Sequence, residues 1–179
     1  MLGGADVIFL SAAHMNSDPI AADLKVIAKQ LLAHGEKLVT AESCTGGWLS
    51  KAITDLPGSS QWFERGYVTY SNDAKIECLG VQAQTLKDQG AVSEACVREM
   101  AEGALRASRA QWAVAITGIA GPDGGTEDKP VGTVWLACAA RGGATVIRHM
   151  NYSGGREAVR LQSVQSALAL LREQLSPSS

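Results

Sequence analysis

Apolar residues at Ile20, Leu24, Ile27, Leu31 and Leu32 recur at the spacing of one helical face. Asp18-Pro19 stands just before them, an N-cap followed by proline at the first helical position, and Gly35 marks the end. Leu38–Ala41 reads as a short buried strand and Trp48–Thr54 as a helix closed by Leu56-Pro57-Gly58. Arg65–Tyr70 is rich in β-forming residues and predicts a second strand. Ser71-Asn72-Asp73 breaks it and leads into a short helix over Ala74–Leu79. Ser93 with Glu94 opens the next helix, which carries Val97, Met100, Ala101, Ala104 and Leu105. Trp112–Ile116 is continuously apolar, the pattern of a parallel strand covered on both faces. Only Ala140-Arg141-Gly142-Gly143 separates Gly132–Ala139 from Ala144–Tyr152, which predicts an antiparallel hairpin. A last helix, about Arg156–Leu175, turns Val159, Val164, Leu168 and Leu171 inward.

Five strands and about four helices in this alternation imply an α/β fold. The expected architecture is a three-layer α/β/α sandwich on a mixed, mostly parallel five-stranded sheet, with one antiparallel hairpin near the C-terminus. Residues 1–17 lack sustained periodicity and read as a loose N-terminal extension, 18–175 as a single domain and 176–179 as a tail. A chain of 179 residues suits one domain, which at this size buries roughly 70% of its unfolded surface.

Composition narrows the function classes. With 46% hydrophobic and 19% charged residues, the chain has the makings of an ordinary core. Its formal charge of −2, with Lys and Arg scattered, offers no basic field for nucleic acid. No apolar run approaches membrane-spanning length, and Val7–Leu10 is too short for a signal peptide and lacks a basic flank. The expected setting is the cytoplasm. Cys44, Cys78, Cys96 and Cys138 form no C-x-x-C pair, and His14, His34 and His149 are dispersed. Neither a metal site nor a disulfide framework is signalled.

Thr40-Ala41-Glu42-Ser43-Cys44-Thr45-Gly46-Gly47 gathers hydroxyls, a thiol, a carboxylate and two glycines where a strand hands over to a helix. Such a turn exposes side chains and points amide N–H groups at anions, so a hydroxyl nucleophile or a phosphate suits it. A plain N-cap by Ser43 or Thr45 suits it equally. Cys44 reads as a small buried neighbour rather than a nucleophile.

Three further clusters fall at predicted strand ends. Lys75 follows Tyr70-Ser71-Asn72-Asp73-Ala74, where a desolvated lysine would serve as a general base and a solvated one would do nothing. The run from Thr117 and Gly118 through Gly121, Gly124 and Gly125 is either a cradle of amides for an oxyanion or phosphate, or a flexible loop. It is neither a Walker loop nor a dinucleotide fingerprint. Ser153-Gly154-Gly155-Arg156 places an arginine at a helix start, against the dipole, as either a phosphate clamp or a surface residue. In parallel-type sheets ligands bind outside the carboxyl ends of the strands, where the serine run, the lysine turn and the glycine loop would meet. With no histidine near them, a Ser-His-Asp triad is disfavoured and a Ser–Lys pairing stays open.

A-E-S-C-T-G-G, G-x-V-T-Y-S-N-x-A-K, G-A-V-S-E, T-G-I-A-G-P-x-G-G and K-P-V-G-T-V occur here in that order. On these motifs the sequence resembles the CinA C-terminal domain family over about Asp18–Leu175, whereas residues 1–17 have no counterpart in the family pattern. Stand-alone members of that family are nicotinamide-nucleotide amidases. The resemblance implies an amidohydrolase that converts nicotinamide mononucleotide to nicotinate mononucleotide and ammonia. It implies Ser43 as nucleophile, Lys75 as general base and Tyr70 as a group that relays or orients the proton. For substrate contacts it points to Cys44, Thr45, Gly46, Gly47, Thr117 and Gly118 as sources of oxyanion amides. Asn72 and Thr117 would bind ribose or amide, and Arg156 with Gly121, Gly124 and Gly125 would hold the phosphate. No metal or redox cofactor is implied. The partners implied are a small-molecule nucleotide and a second copy of the chain, as a homodimer or higher homo-oligomer, with Trp48, Trp62 and Phe63 available for the interface or the core. Two other classes stay open: a nucleotide-binding regulatory module without turnover, and an amidase for a related pyridine or nucleoside amide.

Overall fold

Alternation along the strands sorts side chains into two unlike faces, and this decides which helix packs where. The computed structural model describes residues 19–176. The extension expected over 1–17, the Asp18 cap and tail residues 177–179 lie outside the described residues. In chain order the elements are α1 (Pro19–His34), β1 (Leu38–Glu42), α2 (Trp48–Asp55), a 3-10 turn (Ser59–Gln61), β2 (Phe63–Val68), α3 (Asn72–Leu79), α4 (Ala83–Gln89), α5 (Glu94–Arg106), β3 (Trp112–Gly118), β4 (Thr133–Ala140), β5 (Thr145–Asn151) and α6 (Arg156–Leu175).

The sheet order is β2-β1-β3-β4-β5. β1 pairs parallel with β2 and β3, whereas β3–β4 and β4–β5 are antiparallel. The fold is α/β with a mixed five-stranded sheet, as expected. "Mostly parallel" holds for strand direction, since only β4 runs against the other four, but the four neighbour pairings divide evenly. Six α-helices, not about four, flank the sheet among the described residues.

One sheet face carries branched side chains, Leu38, Val114, Ile116, Val134 and Leu136, which share a core with α1, α2 and α6. The other carries Val39 and the alanines Ala41, Ala113, Ala115, Ala137 and Ala139, packed with α5 and the end of α3. Small residues there let α5 sit close to the sheet. α5 itself presents Ala101 and Ala104 beside Val97 and Met100, all fully buried. α5 also meets α3 closely, because a Cβ at Gly103 would lie 1.9 Å from the Leu79 carbonyl oxygen.

Three expectations need correction. Leu32 is 46% exposed, because the inward stripe of α1 runs through Leu24, Ile27, Ala28 and Leu31. The second strand spans Phe63–Val68 rather than 65–70. Its partner β1 ends at Glu42, whose carbonyl receives the Thr69 N–H at 2.8 Å, and Tyr70 has left the ladder. Helix α4 had no sequence signal: it buries no residue fully, and only Leu86 reaches the core. Trp62, at 1% exposure, is core, and Phe63 and Trp48 are partly buried against the same core.

Gly103→Ala sets helix propensity, a gain of about 1 kcal/mol, against overpacking onto a backbone oxygen, typically 1–3 kcal/mol and here at the upper end. Urea denaturation is expected to show a net loss of about 2 kcal/mol. Unchanged or raised stability would mean that α3 and α5 do not meet this closely.

Candidate active site

At the end of β1 the chain turns sharply to begin α2, and Glu42 organises the turn. Its side chain is fully buried and accepts five hydrogen bonds. Oε2 takes Thr45 Oγ1 (2.7 Å), Gly47 N (3.1 Å) and Leu49 N (3.0 Å). Oε1 takes Ser50 N (2.8 Å) and Ser50 Oγ (2.7 Å). Since the Ser50 hydroxyl proton goes to Glu42, Thr40 Oγ1 donates to Ser50 Oγ at 2.8 Å. Gly66 makes room for the pair, because a Cβ there would come within 2.4 Å of Ser50 Oγ. Trp48 N bonds Thr45 O, so the opening donors of α2 are all satisfied from within the turn.

This corrects two expectations. Neither Ser43 nor Thr45 caps α2; the N-cap is Gly47, which is in the left-handed region with φ +95°, and the preceding strand's carboxylate supplies the acceptor. Nor is the N-terminus of α2 open to a phosphate, because Glu42 already fills the anion position. Thr45, Gly46 and Gly47 line no wall of the cleft described below. Gly46 N donates to Ser43 O at 3.0 Å and closes the turn.

Held this way, Ser43 projects beyond the sheet edge toward α3. Ser71 caps α3 by accepting from Ala74 N at 3.0 Å, and one turn in, Lys75 points back under the sheet. Its Nζ donates to Ser43 Oγ at 3.0 Å and to the Thr69 carbonyl at 2.7 Å. Lys75 is 1% exposed and pairs with no carboxylate. Burial pushes its pKa below the ordinary lysine value of 10.5, an effect opposed only in part by the nearby sulfurs of Cys96 and Cys44. Burial also pushes the Cys44 thiol up to about 11, so it is no thiolate at neutral pH.

Ser43 and Lys75 open into a cleft of about 280 Å³, close to the lower end of the roughly 300–1,000 Å³ typical of ligand sites. Cys44, Tyr70, Asn72, Thr117, Gly118, Gly121, Gly124 and Arg156 line it. Gly125 does not; it packs against Val131, whose backbone N a Cβ there would meet at 2.8 Å. Thr117 Oγ1 donates to Ala91 O at 2.8 Å, tying β3 to the segment before α5. The Tyr70 hydroxyl accepts from Arg156 Nη2 at 2.8 Å, rather than from Ser43 or Lys75. Arg156 Nη1 donates to Gly121 O at 2.8 Å, so the guanidinium bridges the two sides of the cleft.

Ala91, Val92, Ile119, Ala120 and Asp123 also line the cleft. The G-A-V-S-E motif marked the first two, but apolar residues carry no chemical signal for a ligand wall. A larger cleft of about 350 Å³ between α1, α2 and α6 shares none of these residues and holds no nucleophile–base pair.

The smaller cleft thus brings a serine hydroxyl onto a buried lysine, at the end of an α/β sheet and beside a glycine loop. The CinA C-terminal domain matches residues 21–175, and the chain belongs to that family. It is 57% identical over 148 residues, 83% of this chain and 90% of the other, to the nicotinamide-nucleotide amidohydrolase PncC of Escherichia coli K12. A CinA-like protein of Akkermansia muciniphila is 50% identical over 93% of this chain, but only 40% of its own length is covered. The crystal structure of competence/damage inducible protein CihA from Agrobacterium tumefaciens superimposes with a TM-score of 0.85 at 47% identity, covering 88% of this chain and 95% of that one.

Glu42→Gln places an amide N–H₂ among five donors. It is expected to lower stability by about 2–4 kcal/mol, measured by urea denaturation. A loss under 1 kcal/mol would show that the network is not what holds the turn.

Proposed function

We propose that this chain is a nicotinamide-nucleotide amidohydrolase that uses Ser43 as nucleophile and Lys75 as general base. The observation that carries the proposal is the 3.0 Å contact between Ser43 Oγ and a buried lysine without a counter-ion. A binding module gains nothing from burying a lysine in this way. A hydrolase gains a neutral amine, because desolvation favours the uncharged form. The substrate reading is supported by the 57% identity to a protein named for that activity, over 83% of this chain and 90% of the other.

In the proposed reaction the Lys75 lone pair takes the Ser43 proton as Oγ bonds to the carboxamide carbon. The carbonyl π electrons move to oxygen. Lys75, now an ammonium, gives its proton to the amide nitrogen as the C–N bond breaks, and ammonia leaves an acyl ester on Ser43. Water then attacks the ester with Lys75 again as base, and the proton returns to Ser43 Oγ as the carboxylate product departs.

Backbone N–H direction alternates along β3. Ile119 N bonds Thr133 O on the β4 side, so Gly118 N–H faces the β1 side, where β1 has ended and the cleft opens by Ser43. We assign Gly118 N–H, with Cys44 N–H, to the oxyanion. Arg156 spends two of its five N–H donors on the neutral acceptors Gly121 O and Tyr70 OH, so three donors and an unneutralised charge remain for a phosphate. Tyr70 then acts by orienting Arg156 rather than by relaying a proton. Among the described residues no helix is long and apolar enough to cross a membrane. A cytoplasmic homodimer acting on a small-molecule nucleotide completes the proposal.

Ammonia release from nicotinamide mononucleotide is expected from the wild type and is expected to fall at least about 10³-fold in Ser43→Ala and Lys75→Ala. Because the base must be neutral, kcat/KM should rise with pH through a value below the ordinary lysine value of 10.5 and then level. Nicotinamide riboside, which lacks the phosphate, should be a much poorer substrate. Equal turnover of riboside and nucleotide would remove the role of Arg156. Full activity of both variants would remove the dyad.

A further inference from the structure

Asp123 is the one carboxylate on the wall of the catalytic cleft among the described residues. It is exposed and makes no hydrogen bond or ion pair in the protein. Its loop nevertheless holds it in a defined place. Upstream, Ile119 N donates to Thr133 O (2.9 Å) and Gly132 N to Ile119 O (2.8 Å). Downstream, Thr126 N donates to Lys129 O (2.9 Å) and Lys129 N to Thr126 Oγ1 (3.1 Å). Arg156 grips the loop at Gly121 O, and Gly121 packs so tightly on Val131 that a Cβ would come within 2.6 Å of Cγ1. Asp123 is thus an unpartnered carboxylate on an anchored loop, in the same cleft as an arginine with which it forms no salt bridge.

That combination is specific. A carboxylate close to a phosphate-binding arginine would repel a bare anion and weaken the site. It becomes favourable when the ligand places hydroxyls against it, since an ionised carboxylate accepts hydrogen bonds on both oxygens. A ribose diol is such a ligand, and acidic side chains recognise ribose hydroxyls in this way in dinucleotide sites. Position along the cleft agrees. Asp123 lies two residues from Gly121, so its Cα is within about 7 Å of that residue, whose carbonyl Arg156 holds at 2.8 Å. The carboxylate therefore belongs to the arginine end of the cleft. In a mononucleotide the ribose adjoins the phosphate.

Resting on the amidohydrolase proposal above, we infer that Asp123 is the ribose-recognition residue of the cleft. It accepts hydrogen bonds from the substrate's 2′- and 3′-hydroxyls and selects ribonucleotide over deoxyribonucleotide amides.

The test compares kcat/KM for ammonia release from nicotinamide mononucleotide and from its 2′-deoxy and 3′-deoxy analogues, using wild type, Asp123→Ala and Asp123→Asn. Removing a hydroxyl that meets the carboxylate should cost the wild type about 10- to 100-fold. Asp123→Ala should lose a similar factor on the intact nucleotide, mostly in KM, and then treat intact and deoxy substrates alike. Asp123→Asn, which keeps an acceptor oxygen, should fall between. A wild type indifferent to both hydroxyls overturns the inference, as does an Asp123→Ala variant that still discriminates in full. An Asp123→Ala variant with improved KM also overturns it, by showing that the carboxylate only repels. Should the wild type release no ammonia from any of these, the amidase proposal falls first. Calorimetric binding of ribose 5-phosphate against 2-deoxyribose 5-phosphate then decides the role of Asp123. A preference of about tenfold that vanishes in Asp123→Ala supports it, and equal binding in the wild type overturns it.

Discussion

The site depends on one buried carboxylate. Glu42 lies at the end of β1, where the chain must leave the sheet, reverse and start α2 within a few residues. Five donors converge on it from the turn and the first turn of the helix. A buried ionised group is tolerated only when its hydrogen bonds are complete, and here the carboxylate also meets the positive end of a helix. The result is a turn whose amides are largely consumed internally, with Ser43 presented at its apex. An anion held at this turn would draw on the same amides; here the chain fills that position with its own Glu42 side chain, and the Ser43 hydroxyl meets Lys75 instead.

Lys75 is the counterpart on the other side of the cleft. Its length lets it reach from α3 to the sheet end, where it meets one carbonyl that can only accept and one hydroxyl that can accept or donate. Nζ gives one N–H to the Thr69 carbonyl and another to Ser43 Oγ, so the amine and the hydroxyl are held together with no carboxylate bound to the lysine. Lys75 is buried at the end of the alanine-rich layer, and Cys96 at the start of α5 lies near enough to act on its charge. The helix that completes the hydrophobic layer on this sheet face is thus also a neighbour of Lys75.

Much of this was legible in the residues. The strand and helix order, the hairpin and the inward stripe of α6 followed from periodicity and glycine breaks. Ser43, Lys75, Thr117 and Arg156 were marked by polar chemistry at strand ends and do line one cleft. What was not legible depends on contacts distant in sequence or on missing patterns. Helix α4 has no apolar face to read. The shortened β2 follows from where its neighbour β1 stops, which no local pattern in 65–70 reveals. Nothing in the order of residues shows that Glu42, a few positions earlier, folds back onto Thr45 and Gly47, or that the Gly46 N–H turns to the Ser43 carbonyl. The Tyr70–Arg156 contact spans 86 positions and needed the fold.

The claim at the centre is that Lys75 is a desolvated amine poised on Ser43. Its direct measure is the ionisation of the Lys75 side chain, followed by NMR of the labelled lysine nitrogen across a pH titration of the folded wild type. The account predicts that the Lys75 signal titrates below the ordinary lysine value of 10.5, apart from the surface lysines, and shifts when Ser43 is replaced by alanine. Titration together with the surface lysines, with no response to Ser43→Ala, would contradict it.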